Sequence, residues 1–188
     1  MKYFKALILM SVILIFPMVL AGCNSGVASS GNQTSISKQT VFNFYDQVQM
    51  DQTKDQVDSE LGVVPTESTQ LKNVFNYMDE ETSFGVCVLF NENGTVISKT
   101  LLYSNRKDIA FLTNKSVTQK QADQIKNGMS YEEVKTILGA EGTEINATQI
   151  PFEDNQESFI RVWVNDNESM LQVVFGTDGN VNSVMFFE

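Results

Sequence analysis

The residues able to do covalent chemistry are few. The chain has two cysteines and no histidine, which removes every His-dependent triad, imidazole metal ligand and near-neutral proton shuttle. Cys87 sits in the strand-like run Val86-Cys87-Val88-Leu89, where a thiol with no base beside it is expected to be an inert buried residue. Carboxylates cluster at Asp79-Glu80-Glu81 and at Glu153, Asp154 and Glu157. Paired carboxylates can hydrolyse glycosides and oxygen clusters can hold calcium, but these lie dispersed and without EF-hand spacing. No catalytic residue, metal or cofactor is therefore expected, and the remaining chemistry is recognition. Asp79 and Glu80 could meet a basic cleft on a partner, or simply form a solvated turn. Phe84, Arg161 and Trp163, with Phe75, Tyr77 and Phe159, could line an open sheet face as anchors of the kind that dominate interfaces, or, since alternation divides them between two faces, be in part simply core. Arg161 and Trp163 stand two apart in one strand and so share a face.

The scaffold is acidic. The chain has 188 residues, 42% hydrophobic, with 13 basic against 23 acidic side chains and a net charge of −10. A packed core is possible, in one domain or two small ones. Nucleic acid is excluded as a partner, because phosphate binding needs a basic face; adsorption on anionic lipid is disfavoured for the same reason.

The N-terminus reads as an address. Lys2 and Lys5 precede a nearly unbroken apolar run over 6–20, interrupted by Ser11 and Pro17. The run is short for a membrane span and has the form of a secretory signal. It ends in Leu20-Ala21-Gly22-Cys23, which resembles the bacterial lipobox. That resemblance implies cleavage before Cys23 and acylation of its thiol and new amino group, which anchors the chain at the extracytoplasmic face of the cell membrane. Loss of residues 1–22 would leave 11 basic against 23 acidic side chains, or −12. Residues 23–40, rich in Ser, Gly, Asn, Gln and Thr, read as a flexible tether.

The rest of the chain repeats itself. Tyr45-Asp46-Gln47-Val48 and residues 53–62 return at an offset of 77 as Ala122-Asp123-Gln124-Ile125 and residues 130–139. Phe90-Asn91-Glu92-Asn93-Gly94-Thr95-Val96 returns at an offset of 85 as Phe175-Gly176-Thr177-Asp178-Gly179-Asn180-Val181. Thr53 with Gln56 and Ser130 with Glu133 form capping boxes. Val57/Leu61 and Val134/Leu138 share a helical face, and Gly62 and Gly139 close each helix. Shorter helices are expected around 41–49 and 118–127. Strands are expected near 72–78, 84–90, 96–103, 158–164, 170–175 and 181–187, with a further one around 144–150; Asn93-Gly94 and Asp178-Gly179 are hairpin turns. The expected fold is α+β: two tandem repeats, residues 41–104 and 118–188, each a helix-turn-helix packed on its own three- to four-stranded antiparallel sheet. Residues 105–117 link them, and Ile109-Ala110-Phe111-Leu112 is expected to pack between the two.

The run Asp123-Gln124-Ile125-Lys126-Asn127-Gly128-Met129-Ser130-Tyr131-Glu132-Glu133-Val134 with Leu138-Gly139 resembles the signature of the β-lactamase-inhibitor-protein (BLIP) superfamily, shared with SmpA/OmlA (BamE-type) outer-membrane assembly lipoproteins. Val174-Phe175-Gly176-Thr177-Asp178-Gly179-Asn180-Val181 is similar to its last hairpin, while the first copy has Asp51-Gln52 in place of Gly128-Met129. The resemblance implies a non-catalytic binding module with a concave, aromatic-rich sheet surface and an acidic turn, here at 79–82. Three functions follow from it: an anchored lipoprotein that binds an envelope or secreted protein through open sheet faces, an inhibitor of β-lactamase or penicillin-binding proteins, or an envelope-assembly lipoprotein.

Overall fold

A computed structural model describes residues 36–150 and 156–188. The signal segment, Cys23, most of the tether, Glu153 and Asp154 lie outside the described residues. Ser37 caps the first helix by accepting the Thr40 N–H at 3.1 Å, so α1 (Lys38–Gln47) opens three residues upstream of Val41 and buries Val41, Phe42, Phe44 and Tyr45. Both capping boxes form. Thr53 opens α2 (Lys54–Leu61) and Ser130 opens a matching helix, Tyr131–Leu138; Gly62 and Gly139 end them in the left-handed region at φ 65° and 66°.

Strands β1 (Thr66–Glu67), β2 (Val74–Met78), β3 (Gly85–Phe90) and β4 (Val96–Leu102) follow α2. Then come α3 (Lys107–Ala110), α4 (Gln119–Ala122) and α5 (Tyr131–Leu138). The chain closes with β5 (Thr143–Gln149), β6 (Glu157–Val164), β7 (Met170–Phe175) and β8 (Val181–Phe187). Helix α4 is shorter than expected. Past Ala122 the bonds tighten to the i→i+3 type, Gln124 N–H to Gln121 O and Ile125 N–H to Ala122 O, and the turn brings Ile125 into the core.

The expectation of two sheets is corrected. All eight strands form one antiparallel sheet in chain order. The join is β4 with β5, where Ser98, Lys99 and Thr100 stand opposite Thr148, Ala147 and Asn146. Two separate sheets would leave β4 and β5 as edges with unpaired N–H and C=O groups; merging pairs these two with each other. Side-chain bonds reinforce the seam: Ser98 Oγ to Thr148 Oγ1 at 2.7 Å, and Asn146 Nδ2 donating to Thr100 Oγ1 at 2.8 Å and Lys99 O at 3.1 Å.

The α1–α2 pair is stitched to the β3–β4 hairpin, and the α4–α5 pair to the β7–β8 hairpin. Thr53 bridges Thr95 and Ser130 bridges Asn180. Asp51 N–H donates to Val96 O and Val96 N–H to Gln52 O; Gly128 N–H donates to Val181 O and Val181 N–H to Met129 O. Asp51 holds φ 64° where Gly128 holds 86°. Glycine reaches that region without a Cβ clash, so Gly128→Ala is expected to lower the unfolding free energy by about 1–2 kcal/mol, read as a shift in urea midpoint.

Cross-strand register assigns the faces. Directly opposed residues point the same way, which places Phe75, Tyr77, Val86, Val88, Lys99, Leu101, Ala147, Phe159, Arg161, Trp163, Val173 and Phe175 on one side. The helices cover that side: Tyr77 Oη donates to Asp58 of α2 at 2.6 Å, and the Tyr131 ring of α5 meets Phe175 edge-on at 5.8 Å. The segment after β4 goes elsewhere. Ile109 and Ala110 of α3 share a cluster with Val162, Val164 and Met170, which alternate with Trp163 and Leu171 and so lie on the opposite side. Instead of filling a space between two units, this segment closes one end of the second face, while Phe111 stays 49% exposed.

Candidate binding surface

The side of the sheet turned away from α1, α2, α4 and α5 is built in rungs. The longest runs Thr66, Asn76, Cys87, Thr100, Asn146, Ile160, Val174, Ser183 across all eight strands. A second runs Val74, Leu89, Ser98, Thr148, Ser158. Met78, Gly85 and Leu102 lie at one margin; Gln172, Met185 and Phe187 lie at the other. None of these residues is charged. Every charged residue in the strands, Glu67, Lys99, Glu144, Glu157 and Arg161, is in the opposite phase. The centre is polar and ordered: Thr148 Oγ1 donates to Asn146 Oδ1 at 3.2 Å, and Asn146 in turn donates to its neighbours. Half-buried Leu89, Ile160 and Met185 flank that centre. An interface core depleted of charge, with hydrogen-bonding and apolar patches interleaved, is the composition that protein recognition favours.

Cys87 sits on this side, half-buried, and burial pushes its thiol up to about 11. It is a protonated, unreactive group at neutral pH.

Three of the expected anchors lie elsewhere. Trp163 is fully buried under the turn after α5, its indole N–H donating to Ala140 O at 3.0 Å. Phe84 is buried in the first core cluster. Arg161 shares the phase of Trp163 as expected, but that phase is the helix-covered one. Its guanidinium lies 4.5 Å from the Tyr131 ring centre and 5.8 Å from that of Phe159, and it pairs with Glu144 at 3.6 Å. Its Nε has no hydrogen-bond partner among the described residues. Glu144 also accepts from Tyr45 Oη at 3.2 Å. Lys99 donates to Tyr45 O and Val48 O, at 3.0 and 2.7 Å, at the C-terminal end of α1. Desolvation pulls the Lys99 ammonium below its ordinary value, against Asp46, Glu144 and Glu157, which push it back up. This chain of contacts ties α1 to α5 across the sheet and has a structural role.

Asp79 and Glu80 occupy the β2–β3 turn. The Asp79 carboxylate accepts from Glu81 N–H and Thr82 Oγ1, both at 2.9 Å, and the turn passes Ser83 at φ 62°. Asp79 thus holds the turn together, and Glu80 and Glu81 are the exposed carboxylates it presents. Glu157, the described member of the second acidic group, is exposed at the start of β6.

On the helix side one carboxylate couples stability to pH. Burial pushes the Asp58 carboxyl up, but hydrogen bonds from Lys54, 2.6 Å away, and from Tyr77 outweigh it and hold the carboxyl below its ordinary 3.8. A depressed carboxyl stabilises the fold above its unfolded value and loses that contribution as pH falls through the folded one. The side chains of Lys54 and Asp58 are 33% and 35% exposed, so the contribution is screened to about 1 kcal/mol. Urea titrations of Asp58→Asn and the parent are expected to differ at pH 7 and to converge below about pH 4.

The residues that sequence reasoning passed over are Ser98, Thr100, Asn146 and Thr148. The only sequence signal for Asn146 and Thr148 is the alternation in Thr143-Glu144-Ile145-Asn146-Ala147-Thr148-Gln149, and for Ser98 and Thr100 their place in the strand after Asn93-Gly94; each marks a strand without saying what it pairs with. No curated protein matches the chain. The family model described as Beta-lactamase inhibitor (BLIP) matches residues 42–165, from the first buried turn of α1 to the end of β6. With two thirds of its length matched, the chain belongs to the β-lactamase inhibitor (BLIP) family.

Proposed function

We propose that this protein is a lipid-anchored, extracytoplasmic, non-catalytic module that binds another protein through the uncharged side of its sheet. The observation that carries the reading is charge segregation: in a chain of net charge −10, the strands point all their charges toward the helices. The polar seam Ser98, Thr100, Asn146 and Thr148 supplies hydrogen bonds, and Leu89, Ile160 and Met185 supply apolar contact. The positive N-terminus, the apolar run and Cys23 support anchoring, and residues 23–35 give reach from the bilayer. The matched bridges Thr53–Thr95 and Ser130–Asn180 support reading residues 41–104 and 118–188 as related repeats whose sheets have fused. The partner is an envelope or secreted protein.

Family membership favours a second reading, inhibition of a β-lactamase or penicillin-binding protein, with Glu80 and Glu81 entering a basic cleft. Purified chain titrated at micromolar concentration against several class A β-lactamases separates the two. Loss of hydrolysis selects inhibition; unchanged hydrolysis together with cross-linked capture of an envelope protein selects the first reading; neither result sinks both. Anchoring is tested independently: Cys23→Ser should abolish incorporation of labelled palmitate and release the chain from membranes.

A further inference from the structure

Sulfur is not spread evenly over the sheet. The methionines of the described strands are Met78 of β2, Met170 of β7 and Met185 of β8. Cross-strand register puts all three on the uncharged side: Met78 opposite Gly85, Met170 opposite Val164 and Phe187, and Met185 opposite Gln172. Cys87, opposite Asn76 and Thr100, is on that side too. The helix-covered side of the described strands holds no sulfur.

What shields each sulfur differs. Met170 is buried in a cluster with Ile109 and Ala110 of α3. Met50 and Met129, outside the strands, pack against the two core clusters, and Met129 Sδ accepts the Lys126 N–H at 3.3 Å. Met78 and Met185 join neither cluster. Met78 is 38% exposed, and its thioether lies across Gly85, where a Cβ would stand 2.8 Å from the sulfur. Met185 is half-buried. Cys87 is protected by its own chemistry: oxidants attack the thiolate, and burial pushes the thiol up to about 11. A thioether has no proton to lose and needs only access.

We propose that Met78 and Met185 are oxidative modification sites, at which a peroxide converts each thioether to a sulfoxide in the folded chain and so weakens binding. The step is a two-electron oxygen transfer. A sulfur lone pair attacks one peroxide oxygen, and the S–O bond forms as the O–O bond breaks. With hydrogen peroxide, the proton on the transferred oxygen passes to the other oxygen, which leaves as water. Sulfur is oxidised and peroxide reduced; a methionine sulfoxide reductase supplied with a thiol reductant reverses the change. The effect on binding rests on the reading of the uncharged side as the binding surface. Methionine, unbranched and polarizable, adapts to the shape of a partner. The same sulfurs make that surface oxidisable. A sulfoxide is a strong dipole, and burying one with no donor opposite it costs affinity.

The test treats the folded full chain, in neutral detergent at pH 7, with hydrogen peroxide and follows each methionine and Cys87 by fragmentation mass spectrometry. Met78 is expected to oxidise first and Met185 second, with Met50, Met129, Met170 and Cys87 several-fold slower. In urea the order among the methionines should vanish. Affinity for a class A β-lactamase that the chain inhibits, or for the captured envelope protein, should fall about tenfold or more, and reductase treatment should restore it. Met78→Leu with Met185→Leu, a volume-conserving pair, should lose the peroxide response whatever its starting affinity; Met170→Leu should keep it. Oxidation at Met50, Met129 or Met170 as fast as at Met78 and Met185 overturns the sites and leaves the binding reading intact. Sulfoxides at both sites with unchanged affinity overturn the effect on binding. If neither partner binds the untreated chain, the binding reading fails and that effect with it, while the order of oxidation still decides the sites.

Discussion

Replacing Trp163 with alanine is expected to lower the unfolding free energy by about 3–5 kcal/mol, the range for deleting a fully buried aromatic. Trp163 has no exposed surface, and the chain between α5 and β5 is wrapped around it. Ala140 accepts the indole N–H at 3.0 Å. Gly142, at φ +68°, lies so close that a Cβ there would sit 2.4 Å from the ring. Gly142→Val should therefore cost a comparable amount, by forcing the indole or the turn to move and by straining the backbone. Against a typical stability of about 5–15 kcal/mol, either change removes a large share. Trp163→Phe keeps much of the volume and loses the hydrogen bond, so it should fall between. Urea unfolding followed by far-UV dichroism measures all three; as the chain's single tryptophan, Trp163 also gives a fluorescence readout in the Gly142 variant. An alanine variant melting within about 2 °C of the parent would contradict the packing, because about 1 kcal/mol already moves a domain of this size by more.

The largest functional effect is expected from Thr100→Lys. Thr100 lies mid-sheet on the uncharged side, between Cys87 and Asn146, and accepts one hydrogen bond from Asn146 at 2.8 Å. Its removal should cost the fold about 1 kcal/mol. At an interface, the new ammonium would be desolvated with no carboxylate in its phase of the strands to pair with. An unpaired buried charge costs about 3–5 kcal/mol, so affinity for the captured envelope protein, or inhibition of a responsive β-lactamase, should fall about 100-fold or more. Ser59→Lys, exposed on α2, is the control and should bind as the parent does. Unchanged binding by Thr100→Lys would move the site off the sheet, to the 79–84 turn or the helix side.

Much of the scaffold was legible. Thr53, Gln56 and Gly62, with Ser130, Glu133 and Gly139, announced helices at their observed positions because capping is a contact over three or four residues. Asn93-Gly94 and Asp178-Gly179 marked the two hairpins, with both glycines at positive φ, 77° and 74°. The site was legible only in part. A period of two groups Arg161 with Trp163 correctly, but it carries no sign: it cannot say which side of the strand a helix will cover. Hence a tryptophan expected as an anchor is core, and Asn146, in the other phase, went unnoticed. The junction of β4 with β5 joins segments about 50 residues apart, and no local pattern encodes that pairing.

What the sequence by itself determined is everything written in short-range interactions: helix ends, turns, strand phase, the acidic charge and the family signature around Gly128. What the tertiary structure alone decided is the fusion into one sheet, the side most of the helices occupy and, with it, the side to which the strands turn no charge. Those choices are set by satisfying strand edges and by burying Tyr77, Trp163 and Phe175 under helices distant in the chain. They are free-energy differences between whole arrangements that share the same local structure.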